Sequence, residues 1–505
     1  MRSGPSAESE VERTPAPPPG PGIGAQAVRG SFVSIGASTI TLTLGFARSV
    51  LLARLLLPEH FGLVALALFY IGLVSRLRGL GFDMALIHRQ DADEAFLRTY
   101  FTARMGVDIV AFGALLLASP LIQFMYPNVP GLGAVLPWLI LAYFLSNLSQ
   151  VQETLLRKNL AFSSLAATDV VASVVMTGVA PYLAWTGWGV WALVAEQVSG
   201  LGTRFVLTWG PFRQWWPRPG WDREKGRWLW NFGKATWVVT NLSYLTDKFD
   251  DFWTGTALGQ IPLGYYSRAY DYARYPRRVF ANPLVSVFTP IFARLQGNRT
   301  RLSQAFYRSA HLIIRTGFLV AGVSALVMPE FIQFVIGDKW QPMLWTFRLM
   351  LVYIMLDPVL MLAGNLVMAV GQPRRLQKVQ WVQTGFFIPA VVLGASLWGI
   401  NGVALAANGM LLVGAWWLYR PARQIVDFSL TRLALWPGVA LVLAWGAGFG
   451  VERSFAAPSW EALLVKLAAF LALFGGFLLL VERGDYLRGL RWVWQAWQAR
   501  GQVRS

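Results

Sequence analysis

The chain contains no cysteine. That absence removes disulfides, thiolate nucleophiles, iron–sulfur clusters and cysteine-based zinc sites together. Histidine is nearly missing too. The three present (His60, His88 and His311) never fall four residues apart on one helix, which argues against a histidine-rich metal site. Charge is the third scarcity: 14% of the 505 residues are Asp, Glu, Lys or Arg, where an ordinary soluble domain carries about 25%. Apolar side chains fill the gap, at 55% of the chain with a mean hydropathy of +0.46. This argues against a water-soluble protein. The apolar content is too evenly spread for a single anchor and too continuous for a β-barrel, whose strands alternate over about 10 residues. The expected fold class is all-α, a polytopic integral membrane protein.

Apolar stretches of about 20 residues, each able to cross a hydrocarbon core of about 30 Å, recur from Gly30 onward. We count about fourteen, at roughly 30–54, 61–80, 98–120, 132–156, 164–185, 189–210, 231–256, 262–288, 310–335, 343–369, 377–397, 402–420, 434–451 and 460–481. The connecting loops test the count. Odd-numbered loops such as LLPEH, YPNVPG, WTGWG and LWGING are short, and together hold only Lys339 and Arg453 as basic residues. Even-numbered loops carry the rest, including Arg89, Arg98, Arg157, Lys158, Arg213, Arg218, Arg223, Arg299, Arg301, Arg374, Arg375 and Arg423. Basic residues hold loops on the cytoplasmic side, so the even loops and both termini are expected there. The same rule explains the net charge of +18 without nucleic acid, because no soluble domain gathers the basic residues against a duplex.

The expected organisation is a disordered cytoplasmic tail (1–29, Pro/Gly-rich), a six-helix bundle (30–210), a cytoplasmic linker (211–230), a second six-helix bundle (231–425), two further helices (426–482) and an interfacial tail (483–505) rich in Trp and Arg. The two bundles rest on an internal repeat. At an offset of 202 residues, SVLLARLLLPEHFGLVALAL (49–68) lies against DFWTGTALGQIPLGYYSRAY (251–270), with Gly62 on Gly264. Helix 1 then falls on helix 7 and helix 2 on helix 8. An even shift in helix number is a parallel repeat, the arrangement of transporters that bind between two halves and rock.

LLARLLLPEHFGLVALA (51–67), LGQIPLGYYSRAYDYARYPRRVFANPLVSVFTPIFARLQGN (258–298) and VMAVGQPRRLQK (367–378) resemble segments of the polysaccharide and lipopolysaccharide flippases (Wzx-type) of the multidrug/oligosaccharidyl-lipid/polysaccharide exporter superfamily. The resemblance covers most of residues 30–425 and is nearest to the colanic-acid and exopolysaccharide type. It implies two bundles around a cationic central cavity, moving a polyprenyl-pyrophosphate-linked oligosaccharide from the cytoplasmic to the outer leaflet. Membrane lipids and the polysaccharide polymerase or export machinery are the other partners expected, and no cofactor is.

A charge at membrane depth costs roughly 2.5–3.5 kcal/mol on the insertion scale, so such residues face a cavity or each other. Arg48 lies deep in helix 1, and the offset places Asp250 opposite it. Arg76 falls on Arg278. Arg268, Arg274 and Arg277 join Arg278 in helix 8. These six arginines are the candidates for the pyrophosphate and glycan, since a guanidinium donates two parallel hydrogen bonds and keeps its charge. Asp247, Lys248, Asp250 and Asp251 in helix 7 leave two readings open, a self-satisfied salt-bridge network or coupling to Na⁺ or H⁺. Asp108, Asp169, Glu196 and Asp357 are isolated acids for which helix–helix hydrogen bonding is the default.

Enzymatic readings fare poorly. Asp91-Ala-Asp93 spells a glycosyltransferase-like DxD without the soluble domain that should surround it, and Gly233-Lys234 lacks the rest of a P-loop. A polysaccharide polymerase or ligase should present a sizeable outer loop with catalytic Arg or His, whereas the outer loops here are short and hold one histidine, His60, and one arginine, Arg453. The chain is expected not to be an enzyme. Within transporters, a cation-coupled drug or metabolite antiporter is the alternative.

Overall fold

The computed structural model describes residues 23–89, 93–455 and 459–482. Among them every regular element is helical. The Trp/Arg-rich tail at 483–505 and the first 22 residues lie outside this set.

The first half comprises α1 (Ile23–Leu55), α2 (Pro58–Leu77), the short α3 (Phe82–His88), α4 (Glu94–Met125), α5 (Leu132–Lys158), α6 (Phe162–Trp185) and α7 (Val190–Trp209). The second comprises α8 (Arg223–Ala257), α9 (Gln260–Pro276), α10 (Asn282–Leu295), α11 (Arg299–Glu330), α12 (Leu344–Ala369) and α13 (Pro373–Ile425). Two more helices follow, α14 (Leu430–Ser454) and α15 (Trp460–Val481). α1 begins within the stretch read as a tail. α3 was not anticipated, because seven residues in a basic loop give no periodic signal.

Local chemistry sets the helix starts. Asp93 caps α4 by accepting from the Phe96 amide at 2.9 Å, and Asp222 caps α8 through the amides of Glu224 and Lys225 at 2.9 and 3.1 Å. Asp93, the second acid of the DxD string, is thus spent on a helix end. It also takes the Lys225 ammonium at 2.5 Å, and that contact, with the Phe96 amide, holds its carboxyl below the usual carboxylate range.

Among the described residues, ten helical segments are long and apolar enough to cross a membrane. Of the longer helices, α7, α8, α9 and α10 fall outside that set; α7 to α9 carry most of the charge discussed below. α13 is a hairpin. Trp398 and Gly399 leave helical geometry inside it (Gly399 at φ +56°, ψ −138°), and Gly394 and Gly402 then meet backbone to backbone as the chain returns. The same Trp-Gly pair joins α6 to α7, where Gly189 adopts φ +55°, ψ −127°, a region open essentially to glycine alone. Two Trp-Gly turns of matching conformation, one in each half, mark the internal repeat independently of the 49–68/251–270 match. The layout is consistent with fourteen crossings.

The eighth crossing runs unbroken from Gln260 to Leu295 as α9, a π-helical segment (Arg277–Ala281) and α10, longer than the 262–288 expected. One end of the molecule gathers the short loops and the other the basic ones. The main core lies between the halves and towards the short-loop end, and includes Leu52, Phe61, Leu66, Leu263, Tyr266 and Trp340. A second core joins α10–α13 to α14 and α15 through Phe292, Phe306, Leu441 and Phe470.

The repeat axis is visible in atomic contact. α2 packs along α9. A Cβ on Gly62 would lie 1.8 Å from the Gln260 carbonyl oxygen, and one on Gly264 would lie 1.9 Å from that of Pro58. These are equivalent positions under the 202-residue offset, touching reciprocally.

Candidate functional site

Between the halves lies a cavity of about 270 Å³, bounded by α1, α2 and α7 on one side and α8 and α9 on the other. Its charged lining is Glu196, Lys248, Asp251, Arg268 and Asp271, with Ser49, Gln197, Ser267 and Tyr270 as neutral polar neighbours. Three acids against two bases is not the cationic chamber expected. Each of these five charges is paired. Lys248 Nζ lies 2.7 Å from Asp251, Arg268 lies 2.5 Å from Asp271, and Glu196 accepts from Arg48 Nε at 2.7 Å. The reason is the cost of a lone charge at this depth, which each arginine brought into the cavity wall meets with a carboxylate of its own.

Arg48 does not reach Asp250. α1 packs along α6, and Arg48 spends its donors within its own half, on Glu196 of α7 and on Thr177 of α6, the latter at 3.2 Å. Asp250, buried in α8, instead accepts from the Tyr266 hydroxyl at 2.6 Å and from the Asp251 amide at 3.0 Å. Arg268 donates to Ser49 Oγ at 3.3 Å and stacks 4.7 Å over Phe61, so it spans from α9 to both α1 and α2.

The arginine-rich patch sits further along α9, towards the basic end. Arg274 donates to the Tyr270 hydroxyl at 2.6 Å and lies 5.5 Å over the Tyr353 ring. Arg277, in the π-helical segment, pairs with Asp357 on α12 at 2.5 Å. Arg76 on α2 is exposed and lies 5.9 Å over Tyr244, and Arg278 is exposed as well. Asp247, also exposed, feels the charges of Arg274, Lys248, Arg277 and Arg76. Residues of both halves therefore meet at one patch of Arg76, Arg274, Arg277, Asp247 and Asp357. Of the six arginines expected to share one cavity, Arg268 lines it, Arg48 reaches it through Glu196, Arg76, Arg274 and Arg277 form this second patch, and Arg278 is exposed next to Arg277 in the chain.

All four isolated acids have arginine partners. Asp108 takes Arg78 at 2.5 Å, Asp169 takes Arg204 at 2.7 Å, and Glu196 and Asp357 are accounted for above. Sequence reading missed several further partners. Arg104 bonds Asp83 and Gln150, binding α3, α4 and α5 together. Lys466 on α15, with no solvent exposure, pairs with Glu330 on α11 at 2.6 Å, and Arg315 pairs with Glu482 at 2.5 Å. Their signal was present, since each is a charge flanked by apolar residues. Among the described residues no cluster of three or more His, Asp or Glu side chains is arranged to hold a metal ion.

Two membrane-embedded halves around a polar cavity define a class. The fold is that of the transporters of the MOP superfamily. The chain superposes on the inward closed conformation of the lipid II flippase MurJ with a TM-score of 0.73, covering 90% of this chain and 99% of that one at 11% identity. It also matches an inward-facing multidrug resistance MATE family transporter of the MOP superfamily with a TM-score of 0.59, covering 78% and 98% at 15% identity. The particular family follows from sequence. The polysaccharide biosynthesis protein family matches residues 51–344, more than half of the chain, and the chain belongs to it. It is similar to the lipopolysaccharide biosynthesis protein WzxC of Escherichia coli K12, at 27% identity over 395 residues (76% of this chain, 78% of that one). It is also similar to the succinoglycan biosynthesis transport protein ExoT of Rhizobium meliloti, at 25% identity over 322 residues (61% and 62%).

Proposed function

We propose that this protein is a flippase that carries a polyprenyl-pyrophosphate-linked oligosaccharide from the cytoplasmic to the outer leaflet of a bacterial inner membrane, by alternating access between its two halves. The observation that carries this reading is the division of labour along α9. An ion-paired, hydroxyl-rich chamber lies in the middle, where polar but balanced groups suit a glycan. The patch of Arg76, Arg274 and Arg277, with Arg278 next in the chain, lies nearer the basic end, where surplus positive charge suits a pyrophosphate arriving from the cytoplasm. The charge of the basic loops supports a cytoplasmic position for that end and for both termini. The glycan lipid, the surrounding lipids and the assembly machinery outside are the partners. ATP drive has no motif in the chain, so energy comes from an ion gradient, the membrane potential or consumption of product.

Proteoliposomes holding a labelled polyprenyl-pyrophosphate oligosaccharide in the inner leaflet, with an impermeant glycosidase outside, test the proposal. Protein-dependent loss of label is expected, and Arg274→Ala with Arg277→Ala should lower it at least tenfold. A second reading, cation-coupled antiport of a drug or metabolite, draws on the three carboxylates of the chamber. Exchange of cationic dyes for protons or Na⁺, with no movement of any glycan lipid, would favour it.

A further inference from the structure

The loop between α11 and α12 makes a contact that the cavity does not require. Gly337–Met343 belongs to the second half, yet its side chains reach the end of α1 in the first. Trp340 has no solvent exposure, and its indole N–H donates to the Ala53 carbonyl at 2.8 Å. Lys339 Nζ donates to the Arg54 carbonyl at 2.8 Å. Carbonyls in the last turn of a helix have no partner within it, so a segment of one half caps a helix of the other.

The indole is also wedged between aromatic rings from both halves, Phe61 of α2 at 5.4 Å and Tyr265 of α9 at 6.0 Å, both edge-on. Phe61 and Gly62 are adjacent, so Trp340 sits at the reciprocal crossing of Gly62 on Gln260 and Gly264 on Pro58. Phe61 also lines the cavity and carries Arg268 over its ring. A continuous run of contacts thus links Trp340 to a cavity cation. The equivalent loop of the first half, between α4 and α5, reaches the end of α8 through the hydroxyls of Tyr126 and Thr256, 2.7 Å apart, but it carries no tryptophan, so the buried indole belongs to one side alone. Towards the opposite end Arg76, Asp247 and Arg278 are exposed.

We propose that Trp340 is the latch that holds the two halves shut at the outer face, with the Gly62–Gly264 crossing as its seat. Opening outward requires the indole to leave the Ala53 carbonyl and the crossing to part. A cargo that engages Arg268 pulls on Phe61, the one ring shared by cavity and latch. The inference rests on the alternating-access part of the proposed function.

A chain without cysteine permits a clean test. Gln197→Cys places a thiol on the cavity wall, and Asn128→Cys places one on an exposed short loop as a control for sidedness. Intact cells are treated with a membrane-impermeant maleimide. With Trp340 present, the cavity thiol should label slowly and the loop thiol quickly. Trp340→Phe, which keeps a ring but loses the donor, should raise labelling of the cavity thiol about threefold or more, and Trp340→Ala should raise it further. Gly62→Ala, whose added methyl has no room at the crossing, should do the same. Trp340→Phe guards against misfolding by the larger deletion, and membrane levels are compared by immunoblot.

Fast labelling of the cavity thiol with the latch intact overturns the proposal. So does unchanged labelling in Trp340→Phe and Gly62→Ala at normal protein levels, or a loop thiol that is protected from outside. The flip assay is read separately. Faster labelling without any glycan-lipid movement leaves the latch standing and removes the flippase reading; glycan-lipid movement with unresponsive labelling removes the latch alone.

Discussion

Lys466 offers the sharpest test of what joins α14 and α15 to the rest of the molecule. Its ammonium is fully buried, 2.6 Å from Glu330 Oε1, 3.1 Å from the Leu326 carbonyl and 3.9 Å from Glu452. Glu330 is itself 2% exposed. Lys466→Met removes the cation and leaves that carboxylate stranded. Breaking a buried pair from one side costs about 3–5 kcal/mol. Glu452 retains Arg348 at 3.5 Å, which places the expected loss near the lower end, about 3 kcal/mol, a change of roughly a hundredfold in the folded-to-unfolded ratio. Removing both charges is different, because an apolar replacement of a buried pair is often neutral. The double variant Lys466→Met with Glu330→Leu should therefore recover to within about 1.5 kcal/mol of the parent. Unfolding of the purified protein in mixed detergent–SDS micelles, followed by far-UV circular dichroism, measures all three. A single variant within about 0.5 kcal/mol of the parent, the range of an ordinary surface change, or a double variant no better than the single, would refute the reasoning.

Three further outcomes are expected. Arg48→Glu with Glu196→Arg should restore part of the glycan export that either change alone abolishes, while Arg48→Asp with Asp250→Arg should restore none; the reverse pattern in a complementation assay would contradict the observed pairing. Gly399→Ala meets no neighbouring atom, so its cost is backbone strain alone, about 1–3 kcal/mol, and a thermal melt that does not shift would show the turn to be permissive. Gln152 is fully buried and holds the α7–α8 linker through the Trp215 carbonyl at 2.7 Å and the Gln214 amide at 2.8 Å. Gln152→Leu should speed limited proteolysis between residues 211 and 222, and equal cleavage rates would exclude that tether.

The membrane crossings were legible in the sequence because apolarity is continuous and the charge of the loops alternates, two signals that do not depend on contact between distant residues. The chemistry of the site was legible in kind but not in pairing. The offset of 202 set Arg48 opposite Asp250, yet an axis relates equivalent positions without bringing them into contact except close to itself. Gly62 and Gly264 lie on the axis and touch. Arg48 lies away from it, in the wall that α1 forms with α6, and finds Glu196 across 148 residues of chain. Long separation in sequence likewise hides Lys466 from Glu330 and Arg277 from Asp357. The Trp-Gly turns at 188–189 and 398–399 were within reach of sequence reading, had the loops been compared as well as the helices.

Of the five helices that bound the cavity, α7, α8 and α9 are the ones less fit to enter a bilayer on their own. α8 carries Asp247, Lys248, Asp250 and Asp251 within five positions and is not among the ten segments apolar enough to cross unaided. Four bare charges would cost on the order of 10 kcal/mol at the translocation channel, and only partners made earlier or alongside can offset that. Tyr244 of α8 bonds the Phe69 carbonyl of α2, and Tyr266 of α9 supplies the hydroxyl that Asp250 needs. During synthesis α2 is therefore already waiting when α8 emerges, and α8 and α9 settle together as a pair rather than one after the other. The order of the chain is a schedule for insertion: the apolar first half is laid down as a wall, against which the charged half can be threaded.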